Sequence, residues 1–178
     1  DKNANGMTWW REVKSVLFRT GKDSKQRNNK QSEAISVVGI SIRYSKDKAM
    51  LEIPPLWQAF FEQQVLAKIP NKISDDVYAV YTDFDREVKD PQDIYNLGYT
   101  LVIGAAVSSA EHLDATLVST VIPPTTRAVF AVEPALPAQV GAQWFKIWQM
   151  PELKRLFAPD YEHYSSNGEI NILISVAE

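Results

Sequence analysis

Residues 151–176 read PELKRLFAPDYEHYSSNGEINILISV, and this stretch decides the fold. Ile170 to Val176 is rich in β-branched and other apolar residues and reads as a closing strand. Tyr161 to Tyr164 (YEHY) reads as a short strand before it, with Asn167-Gly168 as the turn signal between them. Upstream, Val140, Trp144, Ile147 and Trp148 recur at three and four residues, the spacing of one helix face. Pro151 suits the first position of a second short helix carrying Leu153, Leu156 and Phe157. Thr126 to Val132 (TRAVFAV) is a strand, preceded by a shorter one at Leu117 to Ile122. The order is therefore strand, helix, strand, strand.

The same order stands earlier in the chain. Ile35 to Tyr44 (ISVVGISIRY) alternates and is β-branched, so it is a strand. Leu56, Trp57, Phe60, Phe61, Val65 and Ile69 then repeat at helical spacing, with Pro54 and Pro55 in the first turn and Pro70 as the stop. Val77 to Phe84 (VYAVYTDF) is a strand, the polar stretch from Asp85 to Asn96 a loop, and Tyr99 to Val107 (YTLVIGAAV) a buried strand. Gly104 marks a bulge or a close backbone approach. Tyr78-Ala-Val-Tyr81 falls where Tyr161-Glu-His-Tyr164 falls later. The chain thus reads as α+β, two βαββ repeats. Neither could bury its sheet face alone, so they should pair face to face or edge to edge about a pseudo-twofold axis.

Composition narrows the class. At 178 residues, 45% hydrophobic and 23% charged, the chain suits one globular core. It has no cysteine, which excludes disulfides, thiolate metal sites and thiol catalysis. No apolar run is long enough to span a membrane, and no secretory leader pattern opens the sequence, so a cytoplasmic location is expected. The net charge of −3 is uneven. Residues 1–31 carry eight basic and three acidic side chains, the remainder eleven basic and nineteen acidic. An acidic body disfavours nucleic acid and favours cations. The basic residues 1–32 read as an arm: a short helix over Met7–Thr20, then a polar linker over Lys22–Ser32. Residues 33–178 form the body.

The usual catalytic devices are missing. His112 and His163 are the two histidines, His112 lies in a connecting loop (AEHLD), and no HExxH spacing occurs, so a transition-metal site is not expected. No G-x-S-x-G elbow, phosphate loop or GxGxxG is present. What remains is a carboxylate among aromatics. On a strand Glu162 and Tyr164 share one face, with Tyr161 and His163 on the other. If the Glu162 face points inward, a lone buried carboxylate costs several kcal/mol or has its pKa forced upward. A fixed Arg relieves that cost, and so does a cavity that admits a cationic ligand between aromatic rings. An edge strand with Glu162 turned to water is the third arrangement.

The run VYAVYTDFD…GYTLVIGAAV, then TRAVFAVEP…WFKIW…MPELKRLFAPDYEHY…EINILISV, resembles the GyrI-like family over residues 33–178. These are the ligand-binding domains of AraC-type activators, of multidrug-sensing MerR-type regulators and of stand-alone integron-borne drug-binding proteins. The resemblance implies antiparallel sheets around a central groove. The glutamate of its aromatic-acid-aromatic strand would reach into that groove and attract cationic, aromatic or amphipathic compounds. It maps the ligand-binding residues onto Glu162 and Tyr164, the helix tryptophans Trp144 and Trp148, and the first-half aromatics Trp57, Tyr78 and Tyr81. One departure is visible: the loop before YTLVIG reads IYNLG rather than the acidic turn common in the family. The arm is also short for a helix-turn-helix domain, so a free-standing or truncated copy is expected.

The expected partner is a small cationic or aromatic molecule, bound by a sensor or sequestering module. No cofactor, direct nucleic-acid contact or membrane contact is expected; monomer and homodimer are both open. Two other classes share the resemblance. Some relatives hydrolyse strained rings, where Glu162 would position a water as general base. Others inhibit DNA gyrase by protein contact, where the loop around Asp83, Asp85 and Glu87 would be the contact surface.

Overall fold

The computed structural model describes residues 26–44, 49–85 and 98–178, with residues 49–52 described by backbone alone. The arm helix expected over Met7–Thr20, and most of the loop expected over Asp85–Asn96, lie outside the described residues.

Alternating β-branched runs become strands where the sequence places them. These are β2 (Ile35–Tyr44), β3 (Val77–Thr82), β4 (Tyr99–Val107), β5 (Val118–Ile122), β6 (Thr126–Ala131), β7 (Asp160–Tyr164) and β8 (Ile170–Ser175). Gly168, at φ +96°, makes the turn between β7 and β8. With β1 (Gln26–Lys30) the strands form one antiparallel sheet in the order β1-β6-β8-β7-β3-β4-β2-β5. The two halves therefore meet edge to edge at β3 and β7 in a single sheet, not as two sheets. Exchanging β1 with β5, β2 with β6, β3 with β7 and β4 with β8 reverses the order onto itself. Each half is thus a βαββ unit whose leading extra strand, β1 or β5, crosses over to the other half.

The register fixes the pseudo-twofold axis. Across β3 and β7, Tyr78 pairs with His163, Val80 with Tyr161, and Ala79 with Glu162. Since Tyr78 corresponds to Tyr161 and Tyr81 to Tyr164, Ala79 corresponds to Glu162. The pair Ala79–Glu162 lies on the axis.

Helices α1 (Ala49–Glu62), α2 (Val65–Lys68) and α3 (Pro137–Trp148) lie on one face of the sheet. Leu56, Phe60 and Val65 pack on Val38, Ala79, Leu101 and Ile103; Val140, Trp144 and Ile147 pack on Ala128, Phe130, Ile172 and Ile174. The opposite face carries a cluster of strand residues, Val37, Val80, Val102, Ile122, Val129, Tyr161 and Leu173. Val37 and Val80 are fully buried there, and among the described residues no helix packs over this cluster. Gly39 and Gly104 face each other across β2 and β4. A Cβ on Gly104 would stand 1.9 Å from the Val38 carbonyl oxygen, so the close approach expected at this glycine is real.

Three local readings are corrected. Residues 26–30, read as linker because they are polar and lack periodicity, form edge strand β1, with Gln26 opposite Phe130 and Lys30 opposite Thr126. Backbone pairing needs no apolar side chain, and Arg27 and Lys30 guard the outer edge against further pairing. Helix α1 begins at Ala49, so Pro54 and Pro55 stand inside it rather than in its first turn. The bonds they remove are those to that first turn. Residues 151–157 form turns, not a helix. Their backbone is spent on the end of β8: Leu156 N–H donates to Ser175 O at 3.0 Å, and Ala177 N–H to Lys154 O at 3.0 Å. Phe157 turns left-handed at φ 54°. Among the described residues, no helix is long and apolar enough to cross a membrane.

Candidate functional site

Strand periodicity sends Glu162 to the helical face, between Ala79 of β3 and Ile172 of β8. Its residue is 3% exposed. Three neutral donors converge on its two oxygens. Tyr81 Oη donates to Oε2 at 2.5 Å, Trp144 Nε1 to Oε2 at 2.7 Å, and Tyr164 Oη to Oε1 at 2.5 Å. Burial pushes the Glu162 carboxyl above its ordinary 4.5, while the bonds from Tyr164, Tyr81 and Trp144 pull it back. Burial and the neighbouring Glu162 charge hold the Tyr81 and Tyr164 hydroxyls well above 10, so both remain protonated donors.

Glu162 contrasts with Asp160, two residues earlier on the same face. Asp160 is fully buried, but Arg155 Nη2 donates to its Oδ2 at 2.9 Å, and the Ser175 N–H and Oγ donate to its Oδ1. Arg43 Nη2 is likewise spent on Asp85, at 2.7 Å. Among the described residues, Glu162 has no cationic partner.

Aromatic rings surround it from both halves. Trp144 meets Tyr81 edge-on at 5.2 Å, and Trp57 meets Tyr164 edge-on at 5.2 Å. Each helix tryptophan thus packs on the strand tyrosine of the other half. Tyr99 extends the wall, edge-on to Tyr81 at 5.3 Å and stacked on Tyr44 at 4.3 Å. Phe84 touches Tyr99 and Phe157, and the Arg155 guanidinium lies 4.5 Å over Phe157. Tyr81, Tyr99, Tyr164 and Trp57 are only partly buried. The arrangement is a buried carboxylate ringed by partly buried aromatic side chains. A surface cleft of about 450 Å³, which includes Arg27, Glu133 and Glu169 in its lining, shares no residue with this cluster.

The family model of integron-associated effector binding proteins, Cass2, matches residues 30–176. The chain belongs to this family. Membership makes it an effector-binding domain for small molecules, of the GyrI-like kind that the sequence resembles. Solved structures agree on the fold. The integron cassette protein VCH_CASS2 of Vibrio cholerae superposes with a TM-score of 0.65 at 19% identity, over 85% of this chain and 95% of its own. SAV2435 bound to tetraphenylphosphonium gives 0.66 at 15% identity, over 88% and 94%. A putative transcription regulation protein of Staphylococcus aureus gives 0.59 at 16% identity, over 89% and 100%. No curated protein sequence matches the chain.

In this effector-binding domain, five of the seven ligand-binding residues expected from the resemblance come together: Glu162, Tyr164, Trp144, Tyr81 and Trp57. Trp148 follows Trp144 by one turn of α3 and packs, half-buried, against the second helical cluster. Tyr78 is placed on the opposite face, stacked on His163 at 4.7 Å. There Asp76 accepts from His163 Nε2 at 2.8 Å and from the Ser166 N–H at 2.8 Å. The sequence reading missed Tyr44, Tyr99, Phe84 and Phe157. Only Tyr44 and Tyr99 left a signal, as strand-end aromatics that pair in register across β2 and β4.

Proposed function

We propose that this domain captures cationic, aromatic or amphipathic molecules over Glu162, as a sensor or sequestering module. The observation that carries the reading is the state of that carboxylate. It is buried, held by three neutral donors and, among the described residues, given no counter-charge, while Asp160 beside it has a guanidinium. An uncompensated buried carboxylate is costly, and a ligand cation relieves that cost. The tyrosine and tryptophan faces add roughly 0.5–2 kcal/mol per cation–π contact. SAV2435, which shares the fold, is described with tetraphenylphosphonium bound. That cation is the natural probe.

Tryptophan fluorescence titrated with tetraphenylphosphonium tests the reading. Wild type is expected to show saturable quenching that weakens about tenfold or more in Glu162→Gln, near 1.4 kcal/mol. Quenching indifferent to the substitution would contradict it.

A further inference from the structure

The pseudo-twofold axis leaves one donor unanswered. The exchange that carries Tyr81 onto Tyr164 carries Trp144 onto Trp57, and the two indoles hold matching poses. Trp144 lies 5.2 Å from Tyr81 with planes at 69°; Trp57 lies 5.2 Å from Tyr164 with planes at 73°. Trp144 spends its N–H on Glu162 Oε2 at 2.7 Å. The position that corresponds to Glu162 is Ala79, which has no acceptor. Among the described residues, Trp57 Nε1 has no hydrogen-bond partner, and Trp57 is half-buried on the rim of the site. An indole N–H can only donate, so a ligand that desolvates Trp57 without an acceptor loses a bond to water.

We infer that Trp57 is a specificity-determining donor: the preferred ligands are aromatic cations that also carry a neutral hydrogen-bond acceptor, such as a carbonyl or ether oxygen. The cationic centre faces Glu162 and the acceptor lies across the axis at Trp57 Nε1. The site is then polar in a fixed direction, although its walls are symmetric. Glu162 on one side of the axis selects charge, and Trp57 on the other selects an acceptor. This inference rests on the proposed cation site and adds a requirement that the carboxylate alone does not impose.

Two derivatives of tetraphenylphosphonium, one with a para-acetyl group and one with a para-isopropenyl group, differ in the acceptor and little in shape. Isothermal titration calorimetry is expected to find the acetyl compound bound about threefold to tenfold tighter by wild type, the net worth of one neutral hydrogen bond. Trp57→Phe should bind the two derivatives equally, whatever affinity for the cation its smaller ring retains. A far-ultraviolet circular dichroism spectrum and thermal midpoint close to those of wild type show that the variant is folded. In ¹⁵N-labelled wild type, the indole N–H signal that Trp57→Phe lacks should move downfield with the acetyl compound and not with its isopropenyl counterpart. An acetyl preference that survives in Trp57→Phe, or none in wild type, overturns the Trp57 role and leaves the cation site standing. Absence of parent tetraphenylphosphonium binding to wild type overturns both.

Discussion

Trp57 and Trp144 occupy equivalent places about the pseudo-twofold axis, each 5.2 Å from a tyrosine of the opposite half, yet among the described residues only Trp144 meets a carboxylate. The fold supplies a symmetric aromatic enclosure, and one substitution across the axis, glutamate at 162 against alanine at 79, makes it electrostatically one-sided. The consequences can be measured separately.

Trp144 tunes the carboxylate. Trp144→Phe keeps most of the ring but removes the donor to Oε2, leaving Tyr81 and Tyr164. A lost bond to a buried carboxylate should lower stability by about 1–3 kcal/mol, read by urea denaturation at pH 7. With one downward influence gone, Glu162 should titrate higher than in wild type, so on acidification tetraphenylphosphonium affinity should begin to fall at a higher pH. Unchanged stability and an unchanged pH profile would show that the indole N–H does not hold Glu162.

Ligand affinity should depend on pH through Glu162. Its folded pKa is raised above 4.5, so the carboxyl begins to take up a proton at a pH above that ordinary value. A cation binds the ionised form. Affinity should therefore be weak below about 4.5, climb through the raised pKa and level off above it, with protons released on binding in the climbing region. Calorimetry in buffers of different ionisation enthalpy counts those protons; Glu162→Gln should release none. For unliganded stability, a raised folded pKa means that Glu162's contribution is fully present below 4.5 and lost as pH rises through the folded value.

Much of this site was legible in the sequence, and the exceptions have physical reasons. The alternation in YEHY and INILISV set the strands, and a period of two put Glu162 and Tyr164 on one face. The same period puts Tyr78 and Tyr81, three residues apart, on opposite faces of β3; grouping them overlooked the pleat. Strand β1 escaped because an edge strand held by backbone bonds carries no hydrophobic pattern. The turns at 151–157 escaped because two leucines and a phenylalanine mimic a helix face, although Leu153 is buried and Leu156 is 50% exposed. Phe84 and Phe157 join the aromatic cluster through loop geometry, which side-chain spacing does not encode.

Arg127 should be a structural linchpin rather than part of the site. It is fully buried and donates to Gln31 Oε1 at 2.8 Å, Pro123 O at 3.1 Å and Pro159 O at 3.0 Å, with its guanidinium 5.3 Å from the Tyr161 ring centroid. Arg127→Met fills similar space but strands those acceptors, at a cost of about 3–5 kcal/mol in chemical denaturation. A loss below about 1 kcal/mol would mean that water replaces the guanidinium.

Two glycines should behave differently. Gly104→Ala drives a Cβ into the Val38 carbonyl and should cost more than about 3 kcal/mol, or prevent folding. Gly168→Ala has open space around it and strains only a φ of +96°, so about 1 kcal/mol is expected. Similar melting temperatures for the two variants would contradict the close approach of β2 and β4.

On the proposed function, Glu162 makes this aromatic site select positive charge. Tetraphenylphosphonium and tetraphenylborate have nearly the same shape and opposite charge, so calorimetric titration of wild type with both tests it most directly. The phosphonium should bind at least about tenfold more tightly, a difference of about 1.4 kcal/mol or more. Equal affinities, or tighter binding of the borate, would contradict it.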